Sequence, residues 1–372
     1  MAPRNNKIKL LYVTNQICGS GGLERVLSIK ASYLAEKLNY EVHIVTLNQG
    51  KKPLFYDFSK QLIYHDIKAK GSKLNYFLSY KSGVKQIVNL VKPDIISVCD
   101  DGLKGLYLPF FINKPCPMIY ERHVSKNIEI KTDKVSWPQK VKLKVIYSLM
   151  NFGAKKYNKF IVLTKGNLNE WPLKNLQVIS NPLSFYPPEF STLQNKKVIA
   201  VGKHCRQKGF DRLLHSWELV IKEFPDWQLE IYGKIDKSER LSELARKLKI
   251  NKNVTFFPPE KNIGEKYKSA SIYIMSSRYE GFGMVLTEAM AYGVPCISFD
   301  CPYGPSDIIS DGIDGYLVSN DDIGALSEKT IELIRNSSLR QIMGSNARNN
   351  VMRFLPDIIV PQWDTLFKEL ID

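Results

Sequence analysis

Short apolar runs alternate along the chain with longer stretches in which apolar residues recur at helical spacing. The runs are rich in β-branched and aromatic residues and predict strands at 9–14, 41–47, 94–99, 118–122, 160–164, 177–180, 197–202, 228–233, 254–257, 271–275, 294–299 and 315–318. Apolar positions 23, 26, 27, 34 and 38 predict a helix over 23–38, and a similar pattern predicts another over 210–224. This alternation favours an α/β fold of parallel sheets that are covered by helices on both faces.

The length of 372 residues favours two domains, and a proline-rich segment marks their boundary. Residues 181–196 read NPLSFYPPEFSTLQNK, and Pro182, Pro187 and Pro188 make a helix or a central strand improbable there. This segment is the best interdomain linker. A last helical stretch, 357–370, follows Pro356 and is set apart from the second domain. We therefore expect domains at 1–182 and 183–355 and a C-terminal helix at 356–372.

The chain carries 53 basic and 37 acidic residues, a net charge of +16. Such a surplus favours polyanionic partners, namely nucleic acid, anionic lipid headgroups or phosphorylated ligands, with ordinary surface lysine as the alternative. No apolar run is long enough to span a membrane, and the N-terminal residues read as a polar leader into a strand instead of a signal peptide. The six cysteines form no C-x-x-C pair, so we expect reduced thiols in a cytoplasmic protein.

The first strand-to-helix turn is rich in glycine. Gly19, Gly21 and Gly22 lie between the strand LLYVT and the helix that starts at GLERVL. Glycine there lets backbone amides approach a phosphate at the start of a helix, with glycine that serves only the tight turn as the alternative. The spacing is not G-x-G-x-x-G, which disfavours a nicotinamide or flavin cofactor.

The corresponding turn of the second half is basic. It reads VGKHCRQKGF over 201–210, so Gly202 is followed by Lys203, Arg206 and Lys208. Cations at the carboxyl end of a strand can neutralise a diphosphate, and a solvated basic loop is the alternative.

The densest signal is the segment SSRYEGFGMVLTEAMAYGVP at 276–295. A glycine-rich turn carries Glu280, and a helix is expected from about Gly283 to Tyr292. Amides at its start can hold a phosphate, while Glu288 on the helix can bind a vicinal diol such as a ribose. A dipole-stabilising role for Glu288 is the alternative. Two acids with amides between them suit a sugar nucleotide.

These residues also carry a resemblance to a known family. EGFGMVLTEAMAYGVPCISFDCPYGPSDIISDGIDGYLV resembles the C-terminal signature of the retaining family 4 glycosyltransferases, which belong to the glycosyl transferases group 1. GGLERVL, ISNPL, VGKHCRQKGFDRLL and PQWDTLFKELI resemble further family segments in the expected order. The resemblance implies the GT-B fold, in which two Rossmann-like, doubly wound parallel-sheet domains face a central cleft. It assigns the acceptor to 1–182 and the sugar nucleotide to 183–355, and it implies that helix 356–372 returns to the N-terminal domain.

The resemblance also assigns residue roles. The residues that it implies to be catalytic are Glu280, Lys208, His123 and Lys203. Those implied to bind the donor are Gly21, Gly22, Gly202, Lys203, Arg206, Lys208, Glu280, Gly281, Phe282, Gly283, Met284, Val285 and Glu288. Relatives commonly have arginine where Lys203 stands, and lysine keeps the charge but loses the bidentate geometry. For His123 a satisfied core histidine remains the alternative.

The implied reaction moves a hexosyl or N-acetylhexosaminyl group, with retention, from a UDP-linked or other nucleotide-diphosphate sugar to a saccharide or lipid-linked saccharide acceptor. The product would be a surface polysaccharide such as capsule, O-antigen or lipopolysaccharide. No D-x-D motif stands at a strand end, so we expect catalysis without a metal or other cofactor. The lysine-rich amphipathic segment 131–159 could rest on an anionic membrane, with peripheral location on the inner face, or could be an ordinary covering helix.

Two other classes of protein compete with this interpretation. A sugar-nucleotide epimerase of the same fold would act without an acceptor. A nucleic-acid-binding protein would suit the net charge, but no zinc finger, basic helix-turn-helix or aromatic RNP pattern supports it, and we expect no nucleic-acid partner.

Overall fold

The computed structural model describes residues 7–100, 102–130 and 136–372, and the chain divides into two compact units. Unit 1 comprises residues 1–182 and 356–372, and unit 2 comprises residues 183–355. The polar leader predicted for the N-terminus falls on residues 1–6, which lie outside the described residues.

Within the described residues of unit 1, seven strands form one parallel sheet in the order β3-β2-β1-β4-β5-β6-β7. The strands are Lys9–Val13 (β1), Glu41–Leu47 (β2), Ile63–Ile67 (β3), Ile95–Val98 (β4), Met118–Glu121 (β5), Lys159–Val162 (β6) and Leu176–Val178 (β7). The central strands β4 and β5 are buried along their whole length, as parallel strands with two covered faces must be. The helices that precede residue 182 are Gly22–Lys37 (α1), Lys73–Val91 (α2), Leu103–Leu106 (α3), Leu108–Ile112 (α4) and Trp137–Ala154 (α5).

Unit 2, whose residues are all described, repeats this design with six parallel strands in the order β10-β9-β8-β11-β12-β13. The strands are Lys197–Val201 (β8), Gln228–Tyr232 (β9), Val254–Phe257 (β10), Ile272–Met275 (β11), Cys296–Phe299 (β12) and Gly315–Val318 (β13). The helices are Phe210–Glu223 (α6), Leu241–Lys247 (α7), Ile263–Lys268 (α8), Met284–Ala291 (α9), Pro305–Ile308 (α10), Ile323–Arg335 (α11) and Ser337–Val351 (α12). Strand order reverses between β8 and β11, as it does between β1 and β4, and ligands bind at such points in doubly wound sheets.

The last helix, Pro356–Ile371 (α13), packs against α1 in unit 1. Its Trp363 and Phe367 are buried, and the Tyr40 hydroxyl donates to Asp364 Oδ1 over 2.7 Å. These contacts hold the end of the chain to the unit in which the chain begins.

Each predicted strand is present within about two residues, but β3 was missed. Its sequence IYHDI forms an edge strand that is mostly exposed, so it shows neither a buried apolar run nor a regular alternation. The segment 181–196 contains neither helix nor strand, as expected. It is not a free linker, however, because Leu183 is buried in unit 2 and the Ser191 N–H donates to the Tyr292 carbonyl oxygen over 2.9 Å.

A fully buried ion pair lies at the centre of unit 1. The Lys30 ammonium on α1 contacts Glu121 Oε2 at the end of β5, and both side chains have no exposed surface. Ser97 Oγ donates to the other carboxylate oxygen over 2.6 Å, and the Trp363 ring covers the ammonium at 3.7 Å. Burial alone would raise the pKa of Glu121, but Lys30 and the hydrogen bond from His123 hold it at about 2.

We expect Lys30→Met to destabilise the protein by about 3–5 kcal/mol, because it leaves a buried carboxylate without its counter-ion. Urea unfolding at neutral pH measures this, with Lys37→Met at an exposed position of the same helix as the control. Because the pKa of Glu121 is depressed in the folded state, its stabilisation is present above about pH 4.5 and is lost as the pH falls towards 2. Equal unfolding midpoints for the two variants would show that the pair is not needed.

Candidate functional site

The chain leaves β8 through a basic loop that is shaped by two glycines. A Cβ built on Gly202 would lie 3.0 Å from the Cγ and Cδ atoms of Lys208, so this glycine lies directly against the lysine side chain. Gly209 ends the loop at φ +60°, and a Cβ there would lie 2.2 Å from the Ser276 carbonyl oxygen. The loop is therefore packed against the segment that follows β11, and it needs glycine at 209.

Lys208 and Glu280 form an ion pair at this contact. Lys208 Nζ lies 2.7 Å from Glu280 Oε1, and the Ser277 hydroxyl donates to the same oxygen. Burial alone would lower the pKa of Lys208, but the Glu280 carboxylate raises that pKa above its ordinary value. Lys208 therefore stays protonated. The structure thus brings together two of the residues predicted to be catalytic, and it adds Ser277. The position of Ser277 three residues before Glu280 could have indicated it.

The backbone around Glu280 is fixed by the loop that follows β12. The Glu280 N–H donates to the Pro302 carbonyl oxygen over 2.8 Å, and the Tyr303 N–H donates back to Glu280 over 3.1 Å. A Cβ on Gly304 would lie 2.0 Å from the Phe282 carbonyl oxygen, so the two loops touch at a glycine. The Glu280 carboxylate is therefore held in place by two neighbouring loops of unit 2.

The start of α9 is enclosed by the surrounding protein. Gly283 is the N-cap at φ +102°, and α9 begins at Met284. Gly281, Phe282, Gly283 and Met284 are buried, and Val285 is half-buried. An anion held by their N–H groups would be largely desolvated, which strengthens its interaction with a helix N-terminus.

Glu288 lies on the buried side of α9 and is 3% exposed. Ser184 Oγ donates to its Oε1 over 2.9 Å, and Tyr267 Oη donates to its Oε2 over 3.2 Å. Ser184 comes from the proline-rich segment and Tyr267 from α8. Sequence reasoning missed both, because neither is near Glu288 in the chain and neither belongs to a motif.

The other two predicted cations do not join the pair formed by Lys208 and Glu280. Lys203 is exposed. The hydrogen bonds from Ser238 lower the pKa of Asp236, and the charge of Lys203 adds to that effect. Arg206 is half-buried in the same turn as Lys208, and its carbonyl oxygen accepts from Arg278 Nη1 over 2.9 Å. Both residues therefore belong to the basic loop, but Lys203 lies near Asp236 and Arg206 lies near Arg278.

In unit 1 the predicted His123 is oriented by the buried ion pair. Its Nε2 lies 3.2 Å from Glu121 Oε2, the oxygen that also contacts Lys30. The Cys99 thiol lies within 4.8 Å of the same carboxylate and ring. A cation would have to displace the Lys30 ammonium from Glu121, so this group of Cys99, Glu121 and His123 does not fit a metal site.

The glycine loop after β1 contacts a carboxylate. A Cβ on Gly19 or Gly21 would lie 2.4 or 2.6 Å from an oxygen of Glu24, and Gly21 and Gly22 are exposed. Burial raises the pKa of Glu24, while His123 acts in the opposite direction. Because a carboxylate repels a phosphate, this loop in its present arrangement favours neutral hydroxyl groups.

The comparisons with known proteins indicate one family. The family model of the glycosyl transferases group 1 matches residues 188–350, which include the basic loop and both glutamates. The amylovoran biosynthesis glycosyltransferase AmsD of Erwinia amylovora is 32% identical and aligns over 96% of this chain and 99% of its own. The capsular polysaccharide biosynthesis glycosyltransferase CapM of Staphylococcus aureus is 26% identical over 89% and 90% of the two chains.

Among solved structures, HepE of Anabaena in complex with UDP-glucose has a TM-score of 0.78 at 16% identity, covering 98% of this chain and all of its own. That likeness shows the fold, and the relatives named here are transferases, which leaves the epimerase alternative without support. The likeness to AmsD extends along almost the whole chain. The chain therefore belongs to the glycosyl transferases group 1 and is a glycosyltransferase with the GT-B fold.

Proposed function

We propose that the protein transfers a hexosyl or N-acetylhexosaminyl group, with retention, from a nucleotide-diphosphate sugar to a saccharide or lipid-linked saccharide in the synthesis of a surface polysaccharide. UDP is the nucleotide we expect, since the neighbour HepE is described with UDP-glucose. The polysaccharide product follows the description of CapM. The pairing of Lys208 with Glu280 beside the start of α9 carries this proposal, because it puts a permanent cation and a sugar-binding acid next to a desolvated helix N-terminus.

In this proposal the chain works mainly on the leaving group. The bond between the anomeric carbon and the diphosphate oxygen breaks, and an acceptor hydroxyl oxygen bonds to that carbon on the same face. The acceptor proton passes to the departing phosphate oxygen, so no protein nucleophile is required. Lys208 and the amides of 282–284 stabilise the charge that develops on the diphosphate. Lys203 and Arg206 add positive charge to the same loop.

The two glutamates divide the remainder of the donor between them. Glu280 accepts hydrogen bonds from hydroxyl groups of the donor sugar and gives up part of its contact with Lys208 as the diphosphate arrives. Glu288 accepts hydrogen bonds from the ribose. In unit 1, His123 and the loop of Gly21 and Gly22 contact sugar hydroxyls at the reaction centre, which suits the carboxylate of Glu24 in that loop.

We further propose that α5 rests on an anionic membrane. An apolar stripe on α5 consists of side chains at helical spacing that are between 43% and 76% exposed, namely Trp137, Val141, Val145, Leu149 and Phe152. At its C-terminal end the Phe152 ring stacks on Phe110 of α4, with 5.6 Å between centroids. At 100° per residue, Lys140 and Lys144 border one side of this stripe and Lys142 the other.

This arrangement disfavours the ordinary covering helix, in which the exposed face would be lysine alone. An apolar stripe with lysine on both sides suits insertion among anionic headgroups. Residues 131–135 of the predicted basic segment lie outside the described residues. Among the described residues, no helix combines the length and the hydropathy that crossing a bilayer requires.

The reaction itself is tested by incubating the purified protein with UDP-, GDP- and ADP-linked sugars, with and without lipid-linked saccharides, and analysing the products by mass spectrometry. We expect a glycosylated acceptor and release of one nucleoside diphosphate. Conversion of a donor into its epimer without any acceptor would contradict the proposal.

Lys208→Ala and Glu288→Ala should each lower kcat/KM for the donor by more than about tenfold, or about 1.4 kcal/mol of transition-state stabilisation. Lys208→Ala removes the positive charge that stabilises the leaving diphosphate and should lower kcat. Glu288→Ala removes the proposed contact with the ribose and should raise KM. Lys197→Ala is the matched control, since it breaks another lysine–glutamate pair of unit 2, with Glu230 at 2.9 Å. Near-wild-type kinetics in both site variants would refute the assignment.

Dialysis against EDTA should leave the transferase activity unchanged, because the proposed counter-charges for the diphosphate are lysines and amides. Initial rates are compared before dialysis, after it and after addition of Mg²⁺ or Mn²⁺. A rate that falls with EDTA and returns with either ion would mean that a metal takes part.

The protein should sediment with phosphatidylglycerol vesicles at low salt and bind much less at high salt. The double variant Lys140→Glu and Lys144→Glu should bind at least about tenfold less, while Lys247→Glu on α7 should bind as the wild type does. Trp137→Ala tests the apolar part of the stripe. Sedimentation that is absent at low salt, or equal in the double variant and the wild type, would remove the membrane proposal.

A further inference from the structure

Glu288, the acid proposed to bind the ribose, accepts a hydrogen bond from a hydroxyl group at each of its two carboxylate oxygens. Ser184 Oγ donates to Oε1 and Tyr267 Oη donates to Oε2, at 2.9 and 3.2 Å. An ionised carboxylate offers about four acceptor positions, so one oxygen can accept from a protein hydroxyl group and from a ligand hydroxyl group. Glu288 is 3% exposed, which leaves little room for water to orient it.

We infer that Ser184 and Tyr267 are positioning residues that hold Glu288 in the orientation needed to bind the ribose of the donor. The inference rests on the proposed role of Glu288 and adds to it the reason why this acid is ready before the ligand arrives. A carboxylate that is already fixed loses less side-chain entropy when it binds a diol.

Ser184 is itself held on both sides. The Leu183 N–H donates to the Phe354 carbonyl oxygen over 2.6 Å, and Leu183 is buried. The ring of Phe185 meets the ring of Tyr292 edge to face, with 5.4 Å between centroids. The hydroxyl between these two anchors therefore has a defined place.

Tyr267 is held by the close approach of α8 to the end of α9. It has no exposed surface, and its ring packs near that of Tyr273 at 6.0 Å. A Cβ on Gly264, three residues earlier on α8, would lie 2.1 Å from the Tyr292 hydroxyl, so glycine lets the two elements meet. The Tyr267 hydroxyl is thus brought within reach of Glu288 by a rigid contact.

The proline-rich segment accordingly has a second role. It is predicted as a linker between domains, but its Ser184 hydroxyl also donates a hydrogen bond to Glu288. Because the segment forms neither helix nor strand, the contacts of Leu183 and Phe185 set the orientation of the Ser184 hydroxyl.

The test measures the ratio of dissociation constants for 2′-deoxy-UDP and UDP by calorimetry, since this ratio reports diol recognition and not general stability. We expect the wild type to prefer UDP and Ser184→Ala and Tyr267→Phe each to lower the ratio by about fivefold or more. Ser184→Thr, which keeps the hydroxyl, should restore it. Ser191→Ala in the same segment and Tyr316→Phe, which breaks another tyrosine–glutamate bond of 2.7 Å, are matched controls that should keep the wild-type ratio.

Each outcome separates the inference from the proposal beneath it. If Glu288→Ala loses the preference while Ser184→Ala and Tyr267→Phe keep it, the positioning role is wrong and the ribose role stands. If Glu288→Ala also keeps the preference, or the wild type has none, both roles are wrong. A variant whose thermal unfolding midpoint falls more than that of its control is judged on the ratio alone, since partial unfolding lowers both affinities together.

Discussion

Every strand in the described residues of both sheets runs parallel to its neighbours, and this constraint decides where the chemistry of each unit can lie. Parallel sheets need helices on both faces, so neither face can hold a ligand. The loops at the carboxyl ends of the strands remain. In unit 1 these loops carry Gly21 and His123, and in unit 2 they carry Lys208 and Glu280. The reversal of strand order next to β1 and next to β8 leaves these loops room to separate.

Two of the lysine–glutamate pairs in the chain illustrate what burial does to a charge. Lys30 and Glu121 have no exposed surface, and a tryptophan covers the lysine, so this pair holds the residues around it, including His123, in place. The side chain of Lys208 keeps 19% of its surface and that of Glu280 keeps 7%. A ligand can compete for the second pair but not for the first. Residue type alone does not distinguish the two pairs, but Lys208 and Glu280 lie in sequence motifs and Lys30 and Glu121 were not indicated by any.

Local patterns predicted most of the fold and the parts of the site that lie in one stretch of chain. The strands other than β3, the basic turn at 203–208 and the acids of the EGFG segment could all be found because the signal and the feature share a few neighbouring residues. Ser184 and Tyr267 could not, because their relation to Glu288 arises only when an irregular segment and a short helix fold onto α9. The burial of the amides at 282–284 and the carboxylate of Glu24 beside the glycine loop depend likewise on packing that periodicity does not encode.

The return of α13 to unit 1 bears on how the molecule is made. A ribosome completes residues 1–182 long before it reaches Trp363, the residue whose ring covers the Lys30 ammonium. While the second unit is being synthesised, the Lys30 ammonium lacks the tryptophan ring that covers it in the complete unit 1. The covering of the Lys30 ammonium by Trp363 therefore has to wait until the chain of unit 2 has been synthesised, although both residues belong to unit 1.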